Sequence, residues 1–362
     1  MTGEGDSQAP ASKTERAARR VLVIGGAHID RRGRISGDTA IGSSNPGSWF
    51  EEAGGGGFNA ARNLARLGRP EPDSADGAAE SDRSIERLTL APLEVAMVAP
   101  RGGDAEGEAV AAAAQAAGVE DCPFTFLDRR TPSYTAILER DGNLVVALAD
   151  MALYTLFSPR RLQQRALRER IAAADLVLLD ANLPSETLRA ALQAAKAAGA
   201  ITAAIAISPA KVERLVPHLQ HLDWLFLNES EAAAVCGARA DTAADWASRL
   251  AAAGLGGAVV TRGSREAVIL SAAGWFAVTP PNLPELSDVT GAGDALAAGV
   301  LAGLLSGHQP GEALRLGVAA AGITVRSPFA VAPELSPARL AAQLAFVPMA
   351  VPLLPISPDR TL

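Results

Sequence analysis

The chain has 362 residues, of which 48% are hydrophobic and 20% charged, and carries a net charge of −7. That composition supplies a core without disulfides or metal, and the acidic balance disfavours a nucleic-acid polymer or an anionic membrane as partner. Two cysteines, Cys122 and Cys236, imply no disulfide framework and point to a reducing compartment.

Residues 1–18 are polar and charged and read as a disordered lead-in. The first apolar run is too short for a secretory core and no later run has the length of a bilayer span, so a soluble cytoplasmic protein is expected. Residues 21–24, followed by Gly25-Gly26, read as a buried strand ending at a sheet edge. The stretch 31–53 is irregular, and 59–67 has helical periodicity closed by Gly68. Residues 70–87 form a charged insertion with no apolar face. A strand at 93–98 and a helix at 104–117 precede two β-type runs, 134–138 and 144–148. Asp141-Gly142-Asn143 between those runs marks a hairpin.

From Ser158 the pattern becomes regular, with strands at 176–179, 201–205, 224–227 and 258–261 separated by helices. Continuous apolar strands alternating with helices argue for a parallel sheet covered on both faces. The expected architecture is a three-layer α/β/α domain over 19–345 with a mostly parallel central sheet. Segments of about 31–53 and 124–150 stand outside that rhythm and read as a small β-sheet lid. Ala/Gly-rich helices at 295–305 and 312–325 can approach each other closely, and the Pro-rich tail 346–362 is expected to hug the surface or fray.

The segment Asp288-Val289-Thr290-Gly291-Ala292-Gly293-Asp294 leads straight into an apolar helix. Glycines at a helix start let successive N–H groups converge on an anion or a developing negative charge. A carboxylate beside such a hole suits a general base acting on a hydroxyl that attacks phosphorus. From this segment alone, a loop ending in an Asp N-cap reads equally well. Gly54-Gly55-Gly56-Gly57-Phe58-Asn59-Ala60 contains a degenerate dinucleotide fingerprint, but a poor strand precedes it, which rejects that reading. Bare backbone with Asn59 and Asn63 one helical turn apart suits hydrogen bonds to polyol hydroxyls, and Asp30 is a second hydroxyl-binding candidate. His28 follows two glycines and is a candidate to line a pocket, against the blander reading of a packed or exposed histidine. His218 and His221 read as a helix end, with no third metal ligand nearby.

With these two Gly-rich segments in this order, the chain resembles the ribokinase-like sugar kinases over roughly 21–325. Gly54-Gly55 with Asn59 is similar to the family's N-terminal signature, and Asp288-x-Thr-Gly-Ala-Gly-Asp294 to its C-terminal one. Gly102-x-Asp104-x-x-Gly107 and Asn228-x-x-Glu231 also fit. Within the family the likeness is to kinases of pseudouridine. It rests on Gly25-Gly26-Ala27-His28-Ile29-Asp30, Ser44-Asn45-Pro46-Gly47, Asn59-x-x-x-Asn63, Asp180-Ala181-Asn182 and the lid hairpin.

The resemblance implies that Asp294 takes the proton from a 5′-hydroxyl as ATP delivers its γ-phosphoryl group. Backbone amides of Gly291, Ala292 and Gly293 would hold that phosphate. Asp30, Gly54, Gly55, Asn59 and Asn182 would hold the ribose, while Asn228, Thr261 and Gly263 would border the nucleotide. Glu231 would organise Mg²⁺ through water, and Asp288 would serve a monovalent cation such as K⁺. A homodimer through the lid is also implied. Departures stand at Arg262, Arg265 and Glu266, around Gly263, and at Ser208 and Phe58. Ribokinase, fructokinase and other nucleoside kinases remain alternatives, as does a ligand sensor without catalysis.

Overall fold

The structure, a computed structural model, describes residues 17–70, 88–283, 287 and 289–354. Most of the expected lead-in and of the charged insertion, and the end of the Pro-rich tail, lie outside the described residues.

The central sheet has ten strands in the described chain. It runs parallel from Glu120–Asp121 through Leu93–Val98, Arg19–Ile24, Leu176–Asp180, Ile201–Ile205 and Trp224–Asn228 to Ala258–Arg262. Arg265–Ser271, Gly274–Val278 and Val351–Leu353 then continue it antiparallel. The last of these strands comes from the tail, whose apolar residues pair with the sheet edge. Burial explains the continuous apolar strands. Val21, Val23, Leu176 and Leu178 belong to the core on one face, and Leu22, Ile24, Val177 and Leu179 to the core on the other. Alternate residues of a strand point to opposite faces, so a strand covered on both sides must be apolar throughout. Helices Gly56–Leu67, Ala292–Leu305 and Pro310–Thr324 cover the first face, and Ser185–Ala197 and Ala243–Ala252 the second.

The lid is a separate four-stranded sheet in the order Gly47–Gly54, His28–Ile35, Ser133–Leu138, Leu144–Asp150. Its hairpin forms around Asp141-Gly142-Asn143, as the sequence predicts, with Gly142 at φ 94. The helix predicted at 59–67 begins earlier, at Gly56, because the glycines form its first turn instead of a preceding loop. The sequence reading misses Glu229–Cys236, a short Ala-rich helix too small to show a period.

Strand order reverses between Arg19–Ile24 and Leu176–Asp180, the position where open α/β sheets form a crevice beyond their carboxyl ends. Asp180 ends its strand there, fully buried. Its Oδ2 accepts from the Gly26 N–H at 2.7 Å and the Gly57 N–H at 3.1 Å, and its Oδ1 accepts from the Asn182 N–H at 3.0 Å. One carboxylate thus fixes the loop entering the lid, the first turn of the Gly-rich helix and the strand exit. A Cβ on Gly25 or Gly57 would come within 2.6 or 2.7 Å of that carboxylate, so only glycine lets the backbone approach. Asp180→Asn turns an acceptor into a donor facing N–H groups. Urea unfolding should show a loss of roughly 2–4 kcal/mol, the scale for buried donors left unpaired, and unchanged stability would remove the clamp assignment.

Candidate active site

A cleft of about 610 Å³ lies between the carboxyl edge of the central sheet and the lid. The lid supplies His28, Asp30, Tyr134 and Ala149, and the Gly-rich helix supplies Gly55, Gly56 and Asn59. The strand exits supply Asn182, Ile207, Lys211, Asn228, Glu231 and Thr261, while Thr290, Gly293 and Asp294 close the floor. The two Gly-rich segments therefore meet in space: Asn59 Nδ2 donates to Asp294 Oδ2 at 3.0 Å.

Asp294 is the third residue of helix Ala292–Leu305, and Gly291 occupies the N-cap with φ 77. The alternative of an Asp N-cap therefore does not hold. A Cβ on Gly291 would collide with the Ala330 carbonyl, which with the positive φ makes glycine obligatory there. The first helical bond runs from Ala295 N–H to Gly291 O, so among the described residues the N–H groups of Gly293 and Asp294 show no partner one turn earlier. Ala292 N–H turns back to Val289 O at 3.3 Å, leaving Gly293 and Asp294 as the better-placed amides for an anion. Asp294 keeps a face open to the cleft, yet the surrounding walls desolvate it. Burial pushes its carboxyl up to about 7; the Asn59 hydrogen bond opposes this, and the charges of Asp180, Asp30 and Glu231 reinforce it.

On the lid side Asp30 pairs with His28, 3.1 Å from Oδ1 to Nε2, and a Cβ on Gly54 would collide with the Asp30 carboxylate. Asn182 is held from an unexpected quarter, since Lys211 Nζ donates to its Oδ1 at 2.7 Å. That leaves Asn182 Nδ2 buried without a partner among the described residues, as is Oδ1 of Asn59. Burial lowers the Lys211 ammonium, Asp180 opposes that shift and Arg214 adds to it. Ile207, beside Lys211, has φ 69, a conformation a β-branched residue adopts only under constraint. Neither Lys211 nor Ile207 carries a sequence signal: a lysine in a short helix reads as solvated. His28 is brought into the cleft, against the blander reading of it.

At the other end Asn228 and Glu231 form a capping box. Asn228 Oδ1 accepts from Glu231 N–H at 2.9 Å, and Glu231 Oε2 accepts from Asn228 N–H at 2.7 Å. Burial raises the Glu231 carboxyl, and its bonds with Asn228 oppose that. Thr261 lines the cleft, with its hydroxyl 3.4 Å from Leu227 O. Gly263 lies outside the cleft wall, at φ 65 in the turn between Ala258–Arg262 and Arg265–Ser271. The departures around it have a structural account: buried Arg262 pairs with Glu229 and Glu266, and Arg265 also pairs with Glu229. Ser208 caps its helix through the Lys211 N–H. Asp288 lies outside the described residues. No group of three His, Cys, Asp or Glu able to hold a metal occurs among the described residues. His218 instead bonds Ser185 Oγ at 3.0 Å. Glu231 is the acid at this end of the cleft, and a hard cation, which keeps several waters, would need no cluster of protein ligands there.

Comparison with known proteins accords with this geometry. The profile of the pfkB family carbohydrate kinases matches residues 18–336. The chain is 25% identical over 323 residues to pseudouridine kinase of Escherichia coli strain K12, covering 87% of this chain and 93% of that one. A carbohydrate kinase from Agrobacterium tumefaciens superposes with a TM-score of 0.78 and 54% identity, over 92% of this chain and 100% of that one. A ribokinase from Arabidopsis thaliana, solved with ribose and ATP, has the same fold at 21% identity, with a TM-score of 0.74 over 91% and 99% of the two chains.

The raised Asp294 carboxyl has a thermodynamic signature. Its ionised form is disfavoured in the fold, so the cost is absent below the unfolded value, grows as pH rises and is complete above about 7. Asp294→Asn should therefore melt above the parent at pH 8, with the gap closing toward pH 4. A gap independent of pH would show that Asp294 is not destabilised by its charge.

Proposed function

The chain belongs to the pfkB family of carbohydrate kinases, and we propose that it transfers the γ-phosphoryl group of ATP to the 5′-hydroxyl of pseudouridine. The observation that carries the chemistry is the 3.0 Å bond between Asn59 and Asp294, which joins the hydroxyl-binding segment to the base in one constellation. Asp294 accepts the hydroxyl proton while the new O–P bond forms and the bond to the departing ADP breaks. With a carboxyl near 7, it is basic enough to accept that proton and still ionised in a large share of molecules at neutral pH. Amides at the start of helix Ala292–Leu305 receive the phosphoryl oxygens, and the lid excludes water from the transfer. Bound Mg²⁺ would neutralise charge on the phosphates; Glu231 is placed to hold it through water.

The substrate reading draws support from the wall formed by Asn182 and Lys211. Lys211, whose ammonium also donates to Asn182 Oδ1, lines the cleft there and offers donors only. The carbonyl oxygens of a uracil ring, which pseudouridine carries, complement such a surface; adenine, with an amino donor, does so less well.

ADP release with Mg-ATP across pseudouridine, uridine, adenosine, ribose and fructose tests this reading. Turnover should favour pseudouridine, with kcat/KM rising with pH to a plateau above about 7. Asp294→Ala should lower kcat by ~10²-fold or more, and Lys211→Met should lower kcat/KM for pseudouridine more than for ribose. Turnover confined to a free sugar would move the substrate, and a near-normal kcat for Asp294→Ala would refute the base.

A reducing, cytoplasmic setting and pairing of two copies through the lid complete the proposal. Leu144, Val146 and Leu148 alternate along the outer lid strand, exposed by 58%, 59% and 70%. An apolar edge strand of this kind invites a partner strand. Light scattering should give a dimer mass for the parent and a monomer mass for Leu148→Asp; a monomeric parent would dismiss the pairing.

A further inference from the structure

We propose that Tyr154 and His28 form a positioning relay that fixes Asp30 as the acceptor for the vicinal diol of a ribose-bearing substrate. The proposal rests on the kinase reading above and deepens it at Tyr154, which no quoted motif contains, and at His28, two residues before Asp30.

The relay follows from donor and acceptor bookkeeping. The Tyr154 hydroxyl oxygen lies 2.9 Å from His28 Nδ1. Desolvation, with the charges of Asp180 and Asp30, pushes the phenol well above its ordinary value, so the hydroxyl keeps its proton. His28 Nε2 faces Asp30 Oδ1 at 3.1 Å, so a ring proton belongs on that nitrogen and the Tyr154 proton is directed to Nδ1. Each group then has one role: Tyr154 hydroxyl to His28, and His28 to Asp30. The relay is buried behind Asp30, with Tyr154 at 1% and His28 at 7% exposure.

The consequence is orientation. Asp30 stands on the lid strand His28–Ile35, and a lone carboxylate on a lid would sample several rotamers. Here Oδ1 is held by His28, and Oδ2 is packed against Gly54, where any Cβ would intrude. The carboxylate edge is presented to the cleft that Asn59 and Asp294 also line. An ionised carboxylate accepts from two adjacent hydroxyls, and such charge-assisted bonds are lost when either hydroxyl is missing. The relay therefore contributes to preference for a ribo-configured diol, not to the phosphoryl transfer itself.

Tyr154→Phe deletes only the hydroxyl, and His28→Gln keeps a donor toward Asp30. Kinetics and calorimetric binding would be measured for pseudouridine and its 2′-deoxy and 3′-deoxy analogues, with KM for ATP as the control on the rest of the site. In Tyr154→Phe, KM and Kd for pseudouridine should rise roughly tenfold, the scale of a hydrogen bond to a charged group. Values for the deoxy analogues should move far less, with kcat and KM for ATP nearly unchanged. His28→Phe should behave like Tyr154→Phe or worse, and His28→Gln should recover most of the loss. Equal losses on all three ligands, or no loss, would overturn the relay. If the parent phosphorylates another ribo-sugar and ignores pseudouridine, the substrate reading fails while the relay is read on that sugar against its deoxy forms. A parent that binds no vicinal diol overturns both.

Discussion

The geometry of the cleft depends on one buried carboxylate. Asp180 receives N–H groups from its own strand exit and from two segments distant in sequence, each leading within two residues to a cleft side chain: Gly26 to His28, and Gly57 to Asn59. The lid and the helix carrying Asn59 are thus referenced to the same atom. Charge-assisted bonds of this kind are short and directional, and burial leaves them no competition from water. That arrangement also accounts for glycine at 25 and 57, which serve the carboxylate they pack against, not a ligand.

Concentrating acids has an electrostatic consequence. The charges of Asp30, Asp180 and Glu231 all act on Asp294, and together with desolvation, the larger cause, they raise its carboxyl. The same crowding that costs stability at high pH gives the group a basicity matched to neutral conditions. Lys211 is the compensating charge on the opposite wall, held by Asn182 and near enough to Asp180 to interact with it.

The sheet was legible because both of its faces are covered: strands such as 176–179 are apolar without interruption, and only a parallel, buried sheet asks for that. The Gly-rich segments were legible because their backbones must approach other atoms. What escaped were side chains whose role arises from burial alone. His28 and Tyr154 look ordinary in one dimension and become partners only across 126 residues. Lys211 escaped because nothing local distinguishes a lysine on a short solvent-edge helix from one turned into a cleft. Asn228-x-x-Glu231 shows the opposite ambiguity: a motif that reads as nucleotide chemistry is also a helix cap, and its cap bonds occupy Asn228 Oδ1 and Glu231 Oε2.

The two ends of the cleft are also joined through Ala330. Its carbonyl lies against Gly291, at the turn that opens helix Ala292–Leu305, while its backbone is near enough to the Glu52 carboxylate on a lid strand to favour that group's charge. Phe50, two residues away on that strand, stacks on Phe329 with ring centroids 6.0 Å apart, and Arg32 lies over the Phe50 ring. Glu52 is largely desolvated and its carboxyl is raised by burial, opposed by Arg32 and the Ala330 backbone, so the approach is not a loose surface pairing. The strand Gly47–Gly54 and the turn at Gly291 therefore both pack against residues 329–330, a second link between lid and floor beside the carboxylate at 180.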